Sequence, residues 1–413
     1  MRATALPHAY PGASVIGPEE RAAVDQVLAR KSPFRFYGPE APGETAALED
    51  DLQEYLGRRH VLAVSSGTAA LIVAMRALGI GPGDEVIVPA ATFVGCVNAV
   101  VHCWAVPIFA DIDDSVSIDP HSVEQLITAR TKAIMVVHWR GMAADVRRLT
   151  EIGKRRGIPV IEDCAQGFGA TWDGRPVGSW GDVACFSFQM NKVLSPGEGG
   201  AVASDDPTFI ARAAALHDNG STRGARGVAE ASLFGENYRM SELAAAILRV
   251  QLDKLAALRD HVRGVGTIIK QAVAGSRSLR VRTGPGADGD VGVSAILLCA
   301  SADQFVWARA ALKAEGCPIA FPYQGVPCYL KEFVVNHRLW HDGPGPWDPA
   351  FYPGPGQSYA PGLCPHAEQL LPRVGEYLLS AAWTESDARD VAAALTKVSA
   401  ALDSGAWNQR ATA

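Results

Sequence analysis

Short apolar runs alternate with stretches of helical periodicity over the first 255 residues of the chain. The apolar runs predict strands at residues 60–64, 85–88, 107–110, 133–137, 159–162, 183–188 and 200–203. Segments of helix length separate several of these runs, at residues 68–78, 93–102 and 144–156. This alternation predicts an α/β fold with a mostly parallel sheet and helices on both faces. Candidate chemistry is therefore expected at the carboxyl ends of the strands, where such sheets bind ligands.

A long amphipathic pattern at residues 241–258 predicts a helix that leads out of this sheet. Further along, the pattern predicts two strands and two helices, at residues 278–282, 292–299, 302–315 and 385–402. Residues 343–362 are rich in proline, glycine and aromatics, which predicts a surface loop that covers another part of the molecule. A chain of 413 residues exceeds one ordinary core. We predict a large domain at residues 1–255 and a smaller α+β domain at residues 256–413.

Composition narrows the classes of partner. The chain has 38 basic and 44 acidic residues, and this mild negative excess argues against nucleic acid as a main partner. No apolar stretch approaches the roughly 18 residues that span a bilayer, and residues 1–10 lack the pattern of a secretory signal. We expect a cytoplasmic protein without a membrane partner. The eight cysteines form no Cys-x-x-Cys pair, which favours buried thiols over a metal site or disulfides.

Two segments at predicted strand ends could bind an anion and a cationic ring. Residues 65–71 (SSGTAAL) follow a strand and open a helix, so free N–H groups near Gly67 and the hydroxyl of Thr68 could bind a phosphate. An ordinary Ser- or Thr-capped helix is the alternative. The strand at 159–162 leads into Asp163, whose carboxylate could pair with a protonated ring nitrogen. A helix N-cap or a metal ligand is the alternative for Asp163.

Two further segments could supply a nucleophile and a ring contact. Lys192 follows the strand at 183–188 and precedes a Gly-rich turn, so it could reach the same edge, where Ser187 offers another hydroxyl. A desolvated lysine beside a cation has a lowered pKa, and its neutral amine attacks aldehydes. A solvated loop lysine is the alternative. Phe93 begins the segment after another strand and could stack on a ring, or else pack inside a helical layer.

At these residues the sequence resembles the DegT/DnrJ/EryC1/StrS aminotransferases. The similar segments are SSGTAAL, PAATFVG, VIEDCAQGFGATWDGRPVGSWGD, CFSFQMNKVLSPGEGG and ENYRMSELAAAILRVQL. The resemblance runs from about residue 18 to residue 397. It implies the aspartate-aminotransferase-like fold, which is fold type I of the pyridoxal-phosphate-dependent transferases, with pyridoxal 5'-phosphate (PLP) as cofactor.

The resemblance also implies roles for single residues around the cofactor ring. Lys192 would form the Schiff base with PLP and act as acid and base in catalysis. Asp163 would be the catalytic partner of the pyridine nitrogen. Phe93 matches the ring-stacking position, and Gln166 matches a residue beside the phenolic oxygen.

A second set of matching residues concerns the phosphate. Gly67, Thr68 and Ser187 match positions that hold it within one chain. Asn237 matches an asparagine that reaches the phosphate of a second copy, which implies a homodimer with shared active sites. Arg223, Arg226 and Arg239 are candidates for a diphosphate or a donor carboxylate, with solvated or structural arginines as the alternative.

The presence of a lysine at position 192 favours amination, because one branch of the family carries histidine there and dehydrates sugars. The segment at residues 364–368 resembles that of the family branch that acts on scyllo-inosose. We therefore expect transfer of an amino group from Glu or Gln to a keto-sugar or keto-cyclitol. Residues 32–38, with Tyr37, replace a short Trp/Gly stretch that the resemblance implies before the first helix of the large domain. Residues 138–141, with Trp139, stand where a His-x-x-Gly is common in the family. Both segments could shape the substrate site.

Other classes of function remain as alternatives. A PLP lyase or dehydratase and a non-catalytic PLP-binding protein could share this fold. The sequence GPGADG at residues 284–289 matches the GxGxxG fingerprint of dinucleotide sites. That fingerprint requires a helix after the turn, whereas a strand-like run follows here, so a loop is the better interpretation.

Overall fold

The computed structural model describes residue 2 and residues 4–223 and 229–410. The strands are β1 (His60–Val64), β2 (Glu85–Pro89), β3 (Val106–Ala110), β4 (Thr131–Val137), β5 (Val160–Asp163), β6 (Thr171–Trp172), β7 (Arg175–Pro176), β8 (Val183–Ser187), β9 (Gly200–Ser204), β10 (Ser221–Arg223), β11 (Ala229–Ala231), β12 (Leu279–Val281), β13 (Ser294–Cys299) and β14 (Val374–Leu378). The helices are α1 (Pro18–Ala29), α2 (Glu44–Leu56), α3 (Gly67–Ala77), α4 (Val94–His102), α5 (Pro120–Leu126), α6 (Val146–Arg156), α7 (Pro207–His217), α8 (Glu242–Gln271), α9 (Ala302–Ala314), α10 (Glu332–Val335), α11 (Pro365–Leu370) and α12 (Glu385–Asp403).

The main sheet has seven strands in the order β1-β9-β8-β5-β4-β2-β3. From β8 to β3 all neighbours are parallel, while β9 is antiparallel to both β1 and β8. The strands are apolar and almost entirely buried, because helices cover both faces of a parallel sheet. The structure thus confirms the predicted mostly parallel α/β sheet, with strand ends that shift by one or two residues. One such shift matters for the site, since β5 ends on Asp163 itself.

Helix α8 extends well beyond its predicted end at residue 258. Its apolar face continues through Val262, Val265 and Ile269, all of which are buried. It packs against α1, α2 and α12. The predicted boundary at residue 255 lies inside this helix, and the division into two domains stays a prediction.

A smaller antiparallel sheet, β12-β13-β14, follows α8. The GxGxxG match at residues 284–289 lies between β12 and β13, where the chain forms only a short 3-10 turn (Ala287–Gly289). A dinucleotide site would need a helix there, so the loop interpretation is confirmed.

The Pro- and Gly-rich segment at 343–362 lies over β3, which is the edge strand of the main sheet. The side-chain amide of Gln357 accepts a hydrogen bond from the N–H of Phe109 at 2.6 Å and donates one to the same residue's carbonyl at 3.0 Å. The hydroxyl of Tyr359 donates to the carbonyl of Pro107 at 2.7 Å. These contacts satisfy backbone groups that an open sheet edge would expose. The prediction that the loop covers part of the molecule is confirmed.

Among the described residues, no helix combines the length and the apolar character that crossing a bilayer requires.

Candidate active site

A cavity of about 520 Å³ opens at the carboxyl ends of β5 and β8. Its wall includes the following residues predicted from sequence: Gly67, Thr68, Phe93, Asp163, Gln166, Ser187 and Lys192. The fold therefore brings side chains from separate strand ends into one space, as expected for a parallel sheet.

One end of the cavity is formed by the start of α3. The hydroxyl of Ser66 accepts a hydrogen bond from the N–H of Ala69 at 3.1 Å and so caps the helix. A side chain at Gly67 would place its Cβ 2.5 Å from the Cβ of Ser187, so only glycine fits between the helix and β8. The exposed Thr68 and the buried Ser187 add hydroxyl groups to this helix start. The arrangement suits an anion, because free N–H groups and the helix dipole both favour negative charge.

Asp163 lies at the floor of the cavity with 5% of its surface exposed. Its Oδ1 accepts from the N–H of Ala165 at 2.9 Å, and its Oδ2 accepts from the Sγ of Cys96 at 3.0 Å. These two hydrogen bonds hold the carboxylate in one orientation. Each oxygen retains a lone pair for a further donor in the cavity.

The contact from Cys96 was missed by sequence reasoning. Burial, and then the nearby Asp163, raise the pKa of the Cys96 thiol well above its usual value, so the group is a protonated donor. The hydroxyl of Thr92 lies 2.9 Å from the same sulfur. The one signal in the sequence is that Cys96 lies three residues after Phe93, in the segment that follows a predicted strand.

Lys192 stands in the loop after β8. The chain is anchored there, because the N–H of Lys192 donates to the carbonyl of Gln189 at 2.8 Å and its own carbonyl accepts from Gly12 at 3.0 Å. Burial lowers the pKa of the Lys192 amine; the charge of Asp163 opposes this effect and that of Arg140 adds to it. The side chain therefore has more neutral amine at a given pH than a solvated lysine has.

Glu162, directly before Asp163, is a second residue that sequence reasoning missed. Its fully buried carboxylate accepts from the N–H groups of Gly178, Trp180 and Gly181 and lies 2.9 Å from Nε2 of His138. Burial alone would raise the pKa of Glu162, but His138 and the backbone N–H groups hold it below its usual value. This network fixes the end of β5 from below and thereby positions Asp163.

His138, Glu162 and Cys164 place possible metal-ligand atoms within 4.8 Å of one another. Nδ1 of His138 accepts from the N–H of Ala144 at 3.2 Å, so Nε2 carries the proton that faces Glu162. Both ring nitrogens are therefore occupied. The cluster is a hydrogen-bonded support for the strand end.

The segment at residues 138–141 contributes Arg140 to the cavity wall, and its part in a substrate site stays a prediction. Arg140 lines the wall beside Tyr323, whereas Trp139 lies behind it and is fully buried. The amide of Gln166 donates to the hydroxyl of Tyr323 at 3.0 Å and accepts from the N–H of Arg140 at 3.3 Å. Burial raises the pKa of Tyr323 to about 12, so its phenol stays neutral.

Other residues considered from sequence lie away from this cavity within the single chain. Asn237 and Tyr37 are exposed and do not line it. Arg223 and Arg239 both pair with Asp218, at 2.6 Å and 2.5 Å. Arg226 lies outside the described residues. The predicted contact of Asn237 with a phosphate therefore requires a second copy of the chain.

An open α/β sheet whose carboxyl edge presents a lysine, an aspartate and a capped helix start defines the fold type I class of PLP-dependent enzymes. The chain belongs to the DegT/DnrJ/EryC1/StrS aminotransferase family, which matches residues 15–338. Aminotransferases of this family depend on pyridoxal phosphate. The predicted family, fold class, enzyme class and cofactor are confirmed.

Among characterised relatives, the L-glutamine:2-deoxy-scyllo-inosose aminotransferase of Streptomyces kanamyceticus is 45% identical over 214 residues, which cover 49% of this chain and 50% of the relative. The GDP-perosamine synthase of Vibrio cholerae is 40% identical over 228 residues, covering 55% and 62% of the two chains. The matched segments thus span about half to three fifths of these relatives.

Solved structures match over nearly the whole length. The aminotransferase TlmJ from Streptoalloteichus hindustanus superposes with a TM-score of 0.80 at 28% identity, covering 96% of this chain and 99% of that one. A 3-amino-5-hydroxybenzoic acid synthase superposes with a TM-score of 0.81 at 27% identity, covering 96% and 100%. The chain thus shares its overall fold with these two solved structures.

Proposed function

We propose that this protein is an aminotransferase that moves an amino group from Glu or Gln to the ketone of a sugar or a cyclitol. The observation that carries the proposal is the desolvated amine of Lys192 in the same cavity as Asp163 and the capped start of α3. A cationic amine in solvent would be a poor nucleophile. Burial of Lys192 favours the neutral form that reacts with a carbonyl.

The residues of the cavity fit the cofactor. Gly67, Thr68 and Ser187 would hold the phosphate, since the glycine is required for the close approach of α3 to β8. Asp163 would keep a ring nitrogen protonated, and Phe93, 55% exposed at the cavity wall, would cover a ring face. Bound PLP supplies an aldehyde for amines and an electron-withdrawing ring.

Lys192 has two roles in the proposed reaction. Its amine would hold the cofactor until the donor amine takes its place. Once released, the same amine would take the proton from the substrate carbon and later return a proton, because its lowered pKa lies nearer neutrality. Gln166 is held by Tyr323 and Arg140 and would position the phenolic oxygen of the cofactor.

The acceptor is proposed from the relatives. The relative from S. kanamyceticus is named for 2-deoxy-scyllo-inosose and L-glutamine, and that from V. cholerae for GDP-perosamine. Both names belong to amino-cyclitol or amino-sugar chemistry. We place this chain in the biosynthesis of such compounds, including antibiotics, with the cytoplasm as its compartment.

A homodimer with shared sites is part of the proposal. Asn237 is exposed and does not line its own chain's cavity, which supports a contact with the phosphate of a second copy.

The proposal is tested by half-reactions of the purified, PLP-loaded protein. Glutamine or glutamate should bleach the visible absorbance of bound cofactor and yield a keto acid, and an acceptor ketone should restore the colour. The acceptors are scyllo-inosose, its 2-deoxy form and nucleotide-linked keto-sugars. In Lys192→Ala, the donor should not bleach the cofactor absorbance, and borohydride should not attach the cofactor to the protein. Lys132→Ala, at an exposed lysine, should behave as wild type in both assays.

Two outcomes would contradict the aminotransferase proposal. If no amino acid bleaches the colour, the protein is a non-catalytic PLP binder with respect to these donors. If an amino substrate is consumed without a keto acid, the reaction is that of a lyase or a dehydratase.

A further inference from the structure

Arg140 presents part of its guanidinium group to the cavity. Its side chain is 23% exposed, and its Nε lies 3.2 Å from Oε1 of Glu376, which is almost fully buried. Within the part of the chain that the structure describes, neither terminal nitrogen of Arg140 donates a hydrogen bond to a protein group. The edge that carries these two nitrogens is therefore the edge available to a ligand.

Two aromatic rings lie beside this guanidinium group. Its carbon lies 5.4 Å from the ring centre of Tyr323 and 5.8 Å from that of Trp139. A cation at this distance from aromatic rings is attracted by them and loses part of its water, while the N–H groups of an arginine remain able to bind a ligand.

The backbone at Arg140 is also held in an uncommon conformation. Its φ is +50°, a left-handed value that side chains rarely adopt. The buried Arg282 donates to the carbonyls of both Trp139 and Arg140, at 2.9 Å and 3.1 Å. Gln166 accepts from the N–H of Arg140 at 3.3 Å. Strained backbone that is stabilised from several sides is characteristic of functional sites.

The chemistry of this edge matches a carboxylate. Two adjacent N–H donors of arginine bind both oxygens of a carboxylate in parallel, and partial desolvation strengthens the pair. Arg140 and Lys192 line the same cavity, so a ligand beside Arg140 shares that cavity with the reacting amine. In an amino-acid donor, one carbon separates the amine from its α-carboxylate. The α-carboxylate is the one acidic group that Glu and Gln have in common.

We propose that Arg140 binds the α-carboxylate of the amino-acid donor and is thereby a specificity-determining residue of this protein. The inference rests on the proposed aminotransferase function. Glu376, which accepts from the hydroxyl of Ser294 at 2.8 Å, orients the arginine from behind.

The first experiment compares donors in the half-reaction of PLP-loaded protein. Wild type should react with L-glutamine faster than with L-glutamine α-amide, in which the carboxylate is neutralised. Arg140→Gln should slow the reaction of L-glutamine by a factor on the order of 10 to 100 and leave that of the amide almost unchanged. Arg140→Lys keeps the positive charge but lacks the paired N–H donors. Its rate with L-glutamine should lie between the rates of wild type and Arg140→Gln. Equal losses for both donors, or no loss for either, would overturn the proposal.

Matched controls separate binding from folding. Arg147 is an exposed arginine with an ion pair to Asp173 and a ring contact to Trp180. Arg147→Gln should behave as wild type with both donors. All variants should retain PLP and melt near the wild-type temperature. If Arg140→Gln instead impairs only the return reaction with a diphosphate-linked ketone, the arginine serves the acceptor and the proposal is wrong.

A binding experiment keeps the inference testable apart from turnover. Glutarate carries carboxylates and no amine, and its binding to the PLP-loaded protein can be measured by calorimetry. Arg140→Gln should weaken glutarate binding by a factor of about 10 or more, and Arg147→Gln should not. Equal affinities in wild type and Arg140→Gln would overturn the carboxylate site. Failure of every donor to react, with this difference in glutarate affinity intact, would overturn only the proposed function.

Discussion

Lys192 shows how a cavity changes the chemistry of one side chain. In water a lysine is almost entirely cationic at neutral pH, but here burial disfavours that charge and lowers the pKa of Lys192. Asp163 opposes this effect and Arg140 adds to it. The same desolvation that makes the amine reactive should cost folding stability, because the unfolded chain leaves the lysine solvated.

This linkage predicts a pH-dependent effect of Lys192→Met in the PLP-free protein. Below the lowered pKa the folded wild type carries a desolvated charge, so Lys192→Met should be the more stable protein. As the pH rises toward the unfolded lysine value of about 10.4, the folded wild type releases the proton first and its disadvantage should shrink. Urea unfolding at pH 7 and at about pH 10 measures both free energies. For the exposed Lys132→Met the difference from wild type should not vary with pH, and a constant difference for Lys192→Met would contradict the argument.

At the scale of elements, the first turn of α8 caps a helix that is distant in sequence. The carboxylate of Glu242 accepts from the N–H groups of Gly43 and Glu44 at 2.7 Å and from that of Thr45 at 3.1 Å. Gly43 precedes α2 and has no side chain that could do this. Glu242 thus satisfies free N–H groups of α2 and compensates the positive end of its dipole.

Loss of this cap should destabilise the fold without touching the cavity. Glu242→Ala should lower the free energy of unfolding by roughly 1–3 kcal/mol, since buried donors lose a charged acceptor. Thermal or urea unfolding measures the change, and PLP retention below the transition should be normal. The exposed Glu54→Ala on α2 should be nearly neutral. If Glu242→Ala leaves the free energy of unfolding unchanged, water replaces the carboxylate at these N–H groups.

At the scale of the whole molecule, the proposed site needs two chains. Each cavity would combine its own Lys192 and Asp163 with Asn237 from the partner. Asn237→Ala alone should therefore weaken PLP retention, and unchanged retention would remove this part of the dimer argument.

Mixed dimers test the sharing directly. When Lys192→Ala and Asn237→Ala chains are exchanged and assayed at a PLP concentration too low to fill Asn237→Ala dimers, half of the dimers should be hybrids with one intact site of two, which restores about a quarter of wild-type activity. A mixture of Lys192→Ala with Asp163→Asn should recover nothing, because both changes fall in cavities of their own chains. Equal recovery in both mixtures, or none in either, would refute sites shared through Asn237.

The sequence by itself predicted the strands of the main sheet and placed Lys192, Asp163 and Gly67 at the carboxyl edge of that sheet, where they line one cavity. These features are local, because apolar periodicity specifies a strand and a polar residue at its carboxyl end must emerge at the same edge. The roles of these three residues toward a cofactor stay predictions. Only the tertiary structure decided which distant groups surround them. Cys96 donates to Asp163 through the packing of α4 on the sheet, and Arg140 acquires its orientation from Arg282 and Tyr323. Such contacts depend on packing between segments that lie 67 residues apart for Cys96 and Asp163 and 143 residues apart for Arg282 and Trp139, which no local pattern encodes.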